Sequence, residues 1–148
     1  VTRKISNGVA RISLGLDKTL KLGNLLAKRD WGYAPEYVEG MWLTLQQKNP
    51  DDYVFATNES HSVKEFVIEA CAVAGISTNK IISTKENLRP FDVSSLQGNY
   101  EKAKKKLGWQ PKTKFKKLVK IMVEEDITRW QKWSKNKYQV WDAVIGNN

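Results

Sequence analysis

Helical and strand-like patterns alternate along this chain, and the alternation predicts an α/β fold, with α+β as the alternative. Two observations carry that reading. Apolar residues recur at spacings of three and four in several segments, and short runs rich in β-branched or aromatic residues, LKLGN, YVFAT and KIIST, fall between those segments. At 148 residues, 41% of them hydrophobic, the chain is long enough for one domain with a sizeable core.

The first helix is expected from Thr2 to Leu14, because Ile5, Val9 and Ile12 share one face and Gly15 stops it. LKLGN reads as a short strand ending in a turn. Pro35 suits the first turn of the next helix, whose stripe of Val38, Met41, Trp42 and Leu45 is expected to be buried, with Glu36, Glu39 and Gln46 turned away. NPDD breaks the chain and YVFAT, residues 53–57, is expected to be a strand. Ser62 and Glu65 form a capping box, each satisfying a backbone N–H at a helix start, and Gly75 is the natural stop. KIIST follows as a strand, then a short helix from Tyr100 to Leu107 and a long one from about Lys114. The path of the Trp-rich tail, residues 128–148, is left unassigned, so the chain divides into 1–127 and this tail. There is no internal repeat and no low-complexity linker.

No apolar run approaches the roughly 18–20 residues of a membrane span. The chain therefore reads as soluble and is expected to be cytoplasmic. It opens on Val1, inside what reads as the middle of a fold, and is taken as a fragment in which no targeting segment can be seen. Cys71 stands alone on the apolar side of a helix, which excludes a disulfide framework and a multi-cysteine metal site within the chain; a buried hydrophobe is expected there. A formal charge of +9 favours anionic partners.

The lysine-rich segment KAKKKLGWQPKTKFKKLVK is the obvious nucleic-acid candidate. Lys116, Lys117 and Lys120 nevertheless lie opposite Phe115, Leu118 and Val119, as the solvated face of an amphipathic helix would, and nucleic-acid binding is disfavoured. Tyr100 and Lys104 match Y-x-x-x-K, but no glycine-rich turn upstream could bring a nicotinamide to them, so they read as a helix-surface pair. His61, the single histidine, has no second metal ligand or adjacent nucleophile and reads as a turn residue. AKRDWG carries more chemistry. Arg29 offers a planar fork for phosphate oxygens, Asp30 could fix the guanidinium and Trp31 could wall the site. Arg89, beside Pro90 and Asp92, could converge with Arg29 on one pyrophosphate.

Three segments, VTRKI, GNLLAKRDWGYAPEYVEGMWLTLQQ, and SVKEFV with RPFDVSSLQGNYEKAKKKLGWQPKTKFKKLVKIMVEED, resemble in order and spacing the C-terminal part of the GDP-mannose 4,6-dehydratase family, within the extended short-chain dehydrogenase/reductase superfamily. The likeness runs from Val1 to about Ile127. RDW and LGW-x-P are shared by many nucleotide-sugar epimerases and dehydratases, whereas VTRK with GNL-x-AKRDWG is more particular to this family.

The resemblance implies a substrate-binding portion that closes over GDP-mannose beside a Rossmann domain holding NADP. The family oxidises the hexose at C4, eliminates water across C5 and C6 and returns the hydride to C6. By position, Val1 and Lys4 fall where the family meets the nucleotide, Arg29 and Arg89 at its phosphate-contacting arginines, and Asp92 where it has Glu facing a ribose hydroxyl. The chain departs from the family at Leu26, usually acidic; at Tyr33, usually His; at Phe91, usually Thr; and at Ser94 and Asn99, usually Asp. The family also tends to have Glu near Lys117. The family's catalytic residues and glycine-rich cofactor turn belong before Val1, so no catalytic, cofactor-binding or metal-ligating residue is assigned here. Without that Rossmann domain the chain alone is expected to be inactive and to self-associate; the alternative is a stand-alone, non-catalytic nucleotide-sugar-binding or regulatory module.

Overall fold

The computed structural model describes residues 1–84 and 92–135. Helix α1 spans Thr2–Ser13, strand β1 Leu20–Leu22, β2 Lys28–Arg29, α2 Ala34–Leu45, β3 His61–Ser62, α3 Val63–Ala74, β4 Ile81–Ser83, α4 Glu101–Leu107 and α5 Phe115–Ser134, with one 3-10 turn at Thr78–Lys80. β1 and β4 pair in parallel, Leu20 opposite Ile81, which needs a crossover connection, here the long one that includes α2 and α3. β2 and β3 pair antiparallel, Lys28 opposite Ser62 and Arg29 opposite His61. This mixture of helices and strands is the one the sequence predicts.

The core is where α1, α3 and α5 meet. Ile5 and Val9 from α1, Phe66, Val67 and Ala70 from α3, and Phe115, Val119 and Val123 from α5 form one buried cluster. Each set lies at helical spacing, so burying one stripe per helix closes all three against each other. The Ser62 hydroxyl accepts from the Glu65 N–H while the Glu65 carboxylate accepts from the Ser62 N–H. At the other end of α3, Gly75 takes a left-handed φ of 66° as its cap. Cys71 is buried in the same core, and burial pushes its thiol pKa up.

Two expectations fail. α2 forms as read, but Val38, Met41, Trp42 and Leu45 are 61%, 58%, 59% and 81% exposed. Its inward face is built instead on Gly40, where a Cβ would lie 2.5 Å from the Phe55 ring, and on Tyr37, packed 5.8 Å from Trp109. Glu36 is not turned away either: its carboxylate accepts from Thr113 Oγ1 at 2.7 Å, and its carbonyl from the Trp109 indole N–H at 2.7 Å. The second failure is YVFAT, which has no ladder partner among the described residues and forms no strand. Its groups are taken up otherwise. Phe55 meets Trp109 edge-on at 4.8 Å, and the Thr57 N–H and hydroxyl donate to Asp30.

Trp130 and Trp133 lie on α5, their rings 5.3 Å apart, and Arg11 sits 4.4 Å above Trp130. Trp141 lies outside the described residues, as do Arg89 and Phe91.

Candidate functional site

A cleft of about 460 Å³ opens between the start of α1, the β1 turn and β2. Val1, Lys4, Leu22, Gly23, Asn24, Ala27, Arg29, Trp31, Val63 and Asp92 line it. Four of the five residues singled out as substrate-binding, Val1, Lys4, Arg29 and Asp92, thus stand around one cavity although they are up to 91 positions apart, from 1 to 92. The fifth, Arg89, lies outside the described residues.

The electrostatics suit an anion. Two cationic side chains, Lys4 and Arg29, and one carboxylate, Asp92, line the cleft. α1 has no acidic residue in its first turn, so the positive end of its dipole lies at Val1 and Lys4 beside the cleft. Trp31 walls the cleft as expected and is itself fixed by the core, edge-on to Phe66 at 5.4 Å and stacked on Phe115 at 6.2 Å.

Asp30 does not fix Arg29. The guanidinium donates through Nη2 to Asp92 Oδ1 at 2.6 Å and through Nη1 to the carbonyls of Val93 and Lys28. Successive residues of an extended segment point to opposite sides, so Asp30 must face away from its neighbour. Its oxygens accept instead from Thr57 and from the Gly98 N–H. Asp92 as a residue is open to solvent, but its side chain is only 19% exposed and that of Arg29 22%, so the pair is sheltered. Of the five guanidinium N–H donors, Nε–H and one on Nη2 remain for an anionic oxygen among the described residues.

Asn24 was missed by sequence reasoning. Its Nδ2 donates to Asp92 Oδ2 at 3.0 Å while its Oδ1 accepts from the Leu26 N–H, so one Asx turn orients the carboxylate that holds Arg29. An Asn two residues after a strand, in a GN dipeptide, was the available signal.

The rejected candidates have ordinary partners. His61 pairs in β3, stacks on Phe115 at 3.8 Å and lies 3.5–3.6 Å from Glu65 and Glu59. Tyr100 caps α4 and meets Trp109 edge-on. Lys116 pairs with Glu69 at 3.0 Å, Lys114 with Glu59 and Lys120 with Glu124, which leaves that face an ion-paired, solvated one. The Tyr37 hydroxyl is pushed up to about 12 by burial, then by Asp30 and Glu36, and stays protonated at neutral pH. Among the described residues no group of three or more His, Cys, Asp or Glu could hold a metal ion, and no helix is long and apolar enough to cross a membrane.

A sequence profile described as GDP-mannose 4,6 dehydratase matches residues 1–122. The chain belongs to the GDP-mannose 4,6-dehydratase family. It is 52% identical over 128 residues to "GDP-mannose 4,6 dehydratase 1" of Arabidopsis thaliana, covering 86% of this chain and 36% of that protein. It is 45% identical over 145 residues to the Homo sapiens GDP-mannose 4,6 dehydratase, covering 86% and 39%. The chain therefore spans well under half the length of these family members.

Solved structures agree on the fold. RMD from Pseudomonas aeruginosa, described as complexed with NADPH, superposes with a TM-score of 0.77 at 15% identity, over 86% of this chain and 42% of that one. dTDP-glucose 4,6-dehydratase from Bacillus anthracis, described in complex with NAD, gives 0.73 at 22% identity, over 90% and 42%. Among the described residues no glycine at positive φ opens a helix. Gly15, Gly75 and Gly108, the glycines at positive φ, each follow the C-terminal end of a helix, where the dipole repels an anion.

Proposed function

We propose that this chain is the nucleotide-sugar-binding portion of a GDP-mannose 4,6-dehydratase, with residues 1–127 forming that portion and the cleft at Val1, Lys4, Arg29 and Asp92 taking the GDP moiety. The observation that carries the reading is the convergence of those four residues on one cation-lined cavity, in a chain whose family relatives are named for GDP-mannose. Arg29 would grip a phosphate edge with its two remaining donors, Lys4 and the α1 terminus would add positive potential, and Trp31 would exclude water from one side. Asp92 would meet a ribose hydroxyl through whichever lone pairs Arg29 and Asn24 leave. Arg89 is assigned a second phosphate contact by its place in the family pattern.

In the whole protein, dehydration of GDP-mannose to GDP-4-keto-6-deoxymannose would draw on NADP held by a Rossmann domain outside this sequence, and the setting would be cytoplasmic. The chain alone would hold neither the nicotinamide nor the acid and base, and orientation of those groups supplies much of the rate. We therefore expect no dehydratase turnover from the purified chain with NADP; measurable product would overturn that part. The outward stripe of α2 would be covered by that same Rossmann domain, and the chain by itself would self-associate through it.

The reading is tested by calorimetric titration of the chain with GDP, GDP-mannose and a short DNA duplex, repeated for Arg29→Ala and Arg89→Ala. The expected result is GDP-selective binding, weakened about tenfold by Arg29→Ala and reduced by Arg89→Ala. Binding of duplex with a steep salt dependence and indifference to GDP would overturn it.

A further inference from the structure

Asp126 is the largest polar side chain fully buried in the core, 2% exposed on α5, and nothing in the cleft described above uses it. Its Oδ2 accepts from the hydroxyl of Ser6, itself 0% exposed, at 2.6 Å, and its Oδ1, which accepts no hydrogen bond among the described residues, makes an ion pair with Arg3 Nη2 at 3.2 Å. Both partners belong to the first two turns of α1. Arg3 and Ser6 are three residues apart and so share the face turned to α5. Lys4 is rotated from Arg3 by about 100°, the step of one residue on a helix, and this rotation carries it to the cleft.

We propose that Asp126 is a positioning residue for the anion cleft: by clamping Ser6 and Arg3 it fixes the rotation of the α1 N-terminus and so decides where Val1 and Lys4 stand. The inference rests on the nucleotide reading above and adds to it a residue that touches no ligand. Elsewhere α1 meets α5 through the apolar Ile5, Val9, Val119 and Val123 and, at the other end of α1, through Arg11 above the Trp130 ring. Apolar burial holds two helices together but is non-directional and sets rotation and register weakly, whereas hydrogen bonds are directional. A buried carboxylate is costly to desolvate, and packed apolar residues would serve cohesion as well, so geometric specification is the role the arrangement suits.

Two physical roles make opposite predictions. If Asp126 acted on the ligand only as a nearby negative charge, Asp126→Asn would tighten anion binding; as a clamp, its loss should weaken it. The test is calorimetric titration of the full chain and of its Asp126→Asn, Arg3→Gln, Ser6→Ala and Val123→Ala variants with GDP, together with thermal melts and backbone amide NMR spectra. Asp126→Asn is expected to weaken GDP binding about tenfold, the scale of one charged hydrogen bond, and Arg3→Gln to weaken it in the same direction. Both should move the Thr2, Arg3 and Lys4 amide resonances while those of Arg29 and Asp92 stay. Val123→Ala, which empties core volume on the same helix, should lower the melting temperature at least as much and leave GDP affinity within about twofold. Tighter or unchanged GDP binding in Asp126→Asn overturns the proposal, and so does an equal loss of affinity in Val123→Ala. Ser6→Ala, which removes the hydroxyl donor to Asp126 without changing any charge, is expected to weaken GDP binding in the same direction and keeps the test alive if Asp126→Asn does not fold. If the unaltered chain binds no GDP, the nucleotide reading fails on its own. The clamp is then decided by the spectra: moved Thr2–Lys4 resonances uphold it and unmoved ones overturn it.

Discussion

α2 and α3 are both 12 residues long, both carry an apolar stripe at helical spacing, and they meet opposite fates. α3 buries Val63, Phe66, Val67, Ala70 and Cys71 between α1 and α5, whereas α2 buries only Gly40 and turns its large apolar residues outward. The difference teaches that periodicity announces a face without saying what will cover it. α3 finds two helices of this chain on its apolar side. α2 finds on its inner side Phe55 and Trp109, which demand a small residue, and leaves its stripe exposed.

The contrast breaks most visibly at Phe66. Phe66→Ala should cost about 3–5 kcal/mol, enough to unfold much of the domain, as read by urea denaturation. A loss below about 1 kcal/mol would mean that the three-helix cluster is not the cohesive unit. A smaller effect is expected at the joint between the two regions: Asp30→Ala removes the acceptor of the Thr57 and Gly98 N–H groups and should cost about 2 kcal/mol, with Arg29 still held by Asp92 and GDP affinity kept.

Next comes the cap of α3, where Glu65→Ala should cost about 1 kcal/mol. The Glu65 carboxyl is held below its ordinary value by the Ser62 N–H, then by the Ser62 hydroxyl and by His61. Its contribution is therefore fully present above the unfolded glutamate pKa of about 4.3 and is lost as pH falls through the lowered folded value. Melts of parent and variant should differ at pH 7 and converge below that range. Smallest of all, Trp42→Glu on α2 should shift stability by no more than about 0.5 kcal/mol yet reduce self-association in sedimentation. A loss like that of Phe66→Ala would show that the stripe is core after all.

Much of this was legible beforehand, and what was not has physical reasons. α1, α3 and α5, the capping box, Gly75 and the KIIST strand are specified by neighbours a few residues apart. The residues placed around the cleft followed from a family pattern, and Val1, Lys4, Arg29 and Asp92 do converge. The partner of Arg29 was misread because adjacency in sequence stands for proximity only where the backbone curls, and at Lys28–Arg29 it is extended. YVFAT failed as a strand because β propensity describes fit to a pleated neighbour, and among the described residues none lies beside it. Asp126 had a signal that went unused: it continues the buried row of Val119 and Val123 at the seventh and third positions, where an acid is out of place unless something receives it.

Cys71 gives the molecule a property of another kind. It is the only thiol in the sequence, 1% exposed, on the helix that α1 and α5 enclose, and burial makes its thiolate harder to form. An alkylating reagent cannot reach it until the three helices part. Its labelling rate is thus a stopwatch for the breathing of the core, free of any competing thiol in the chain.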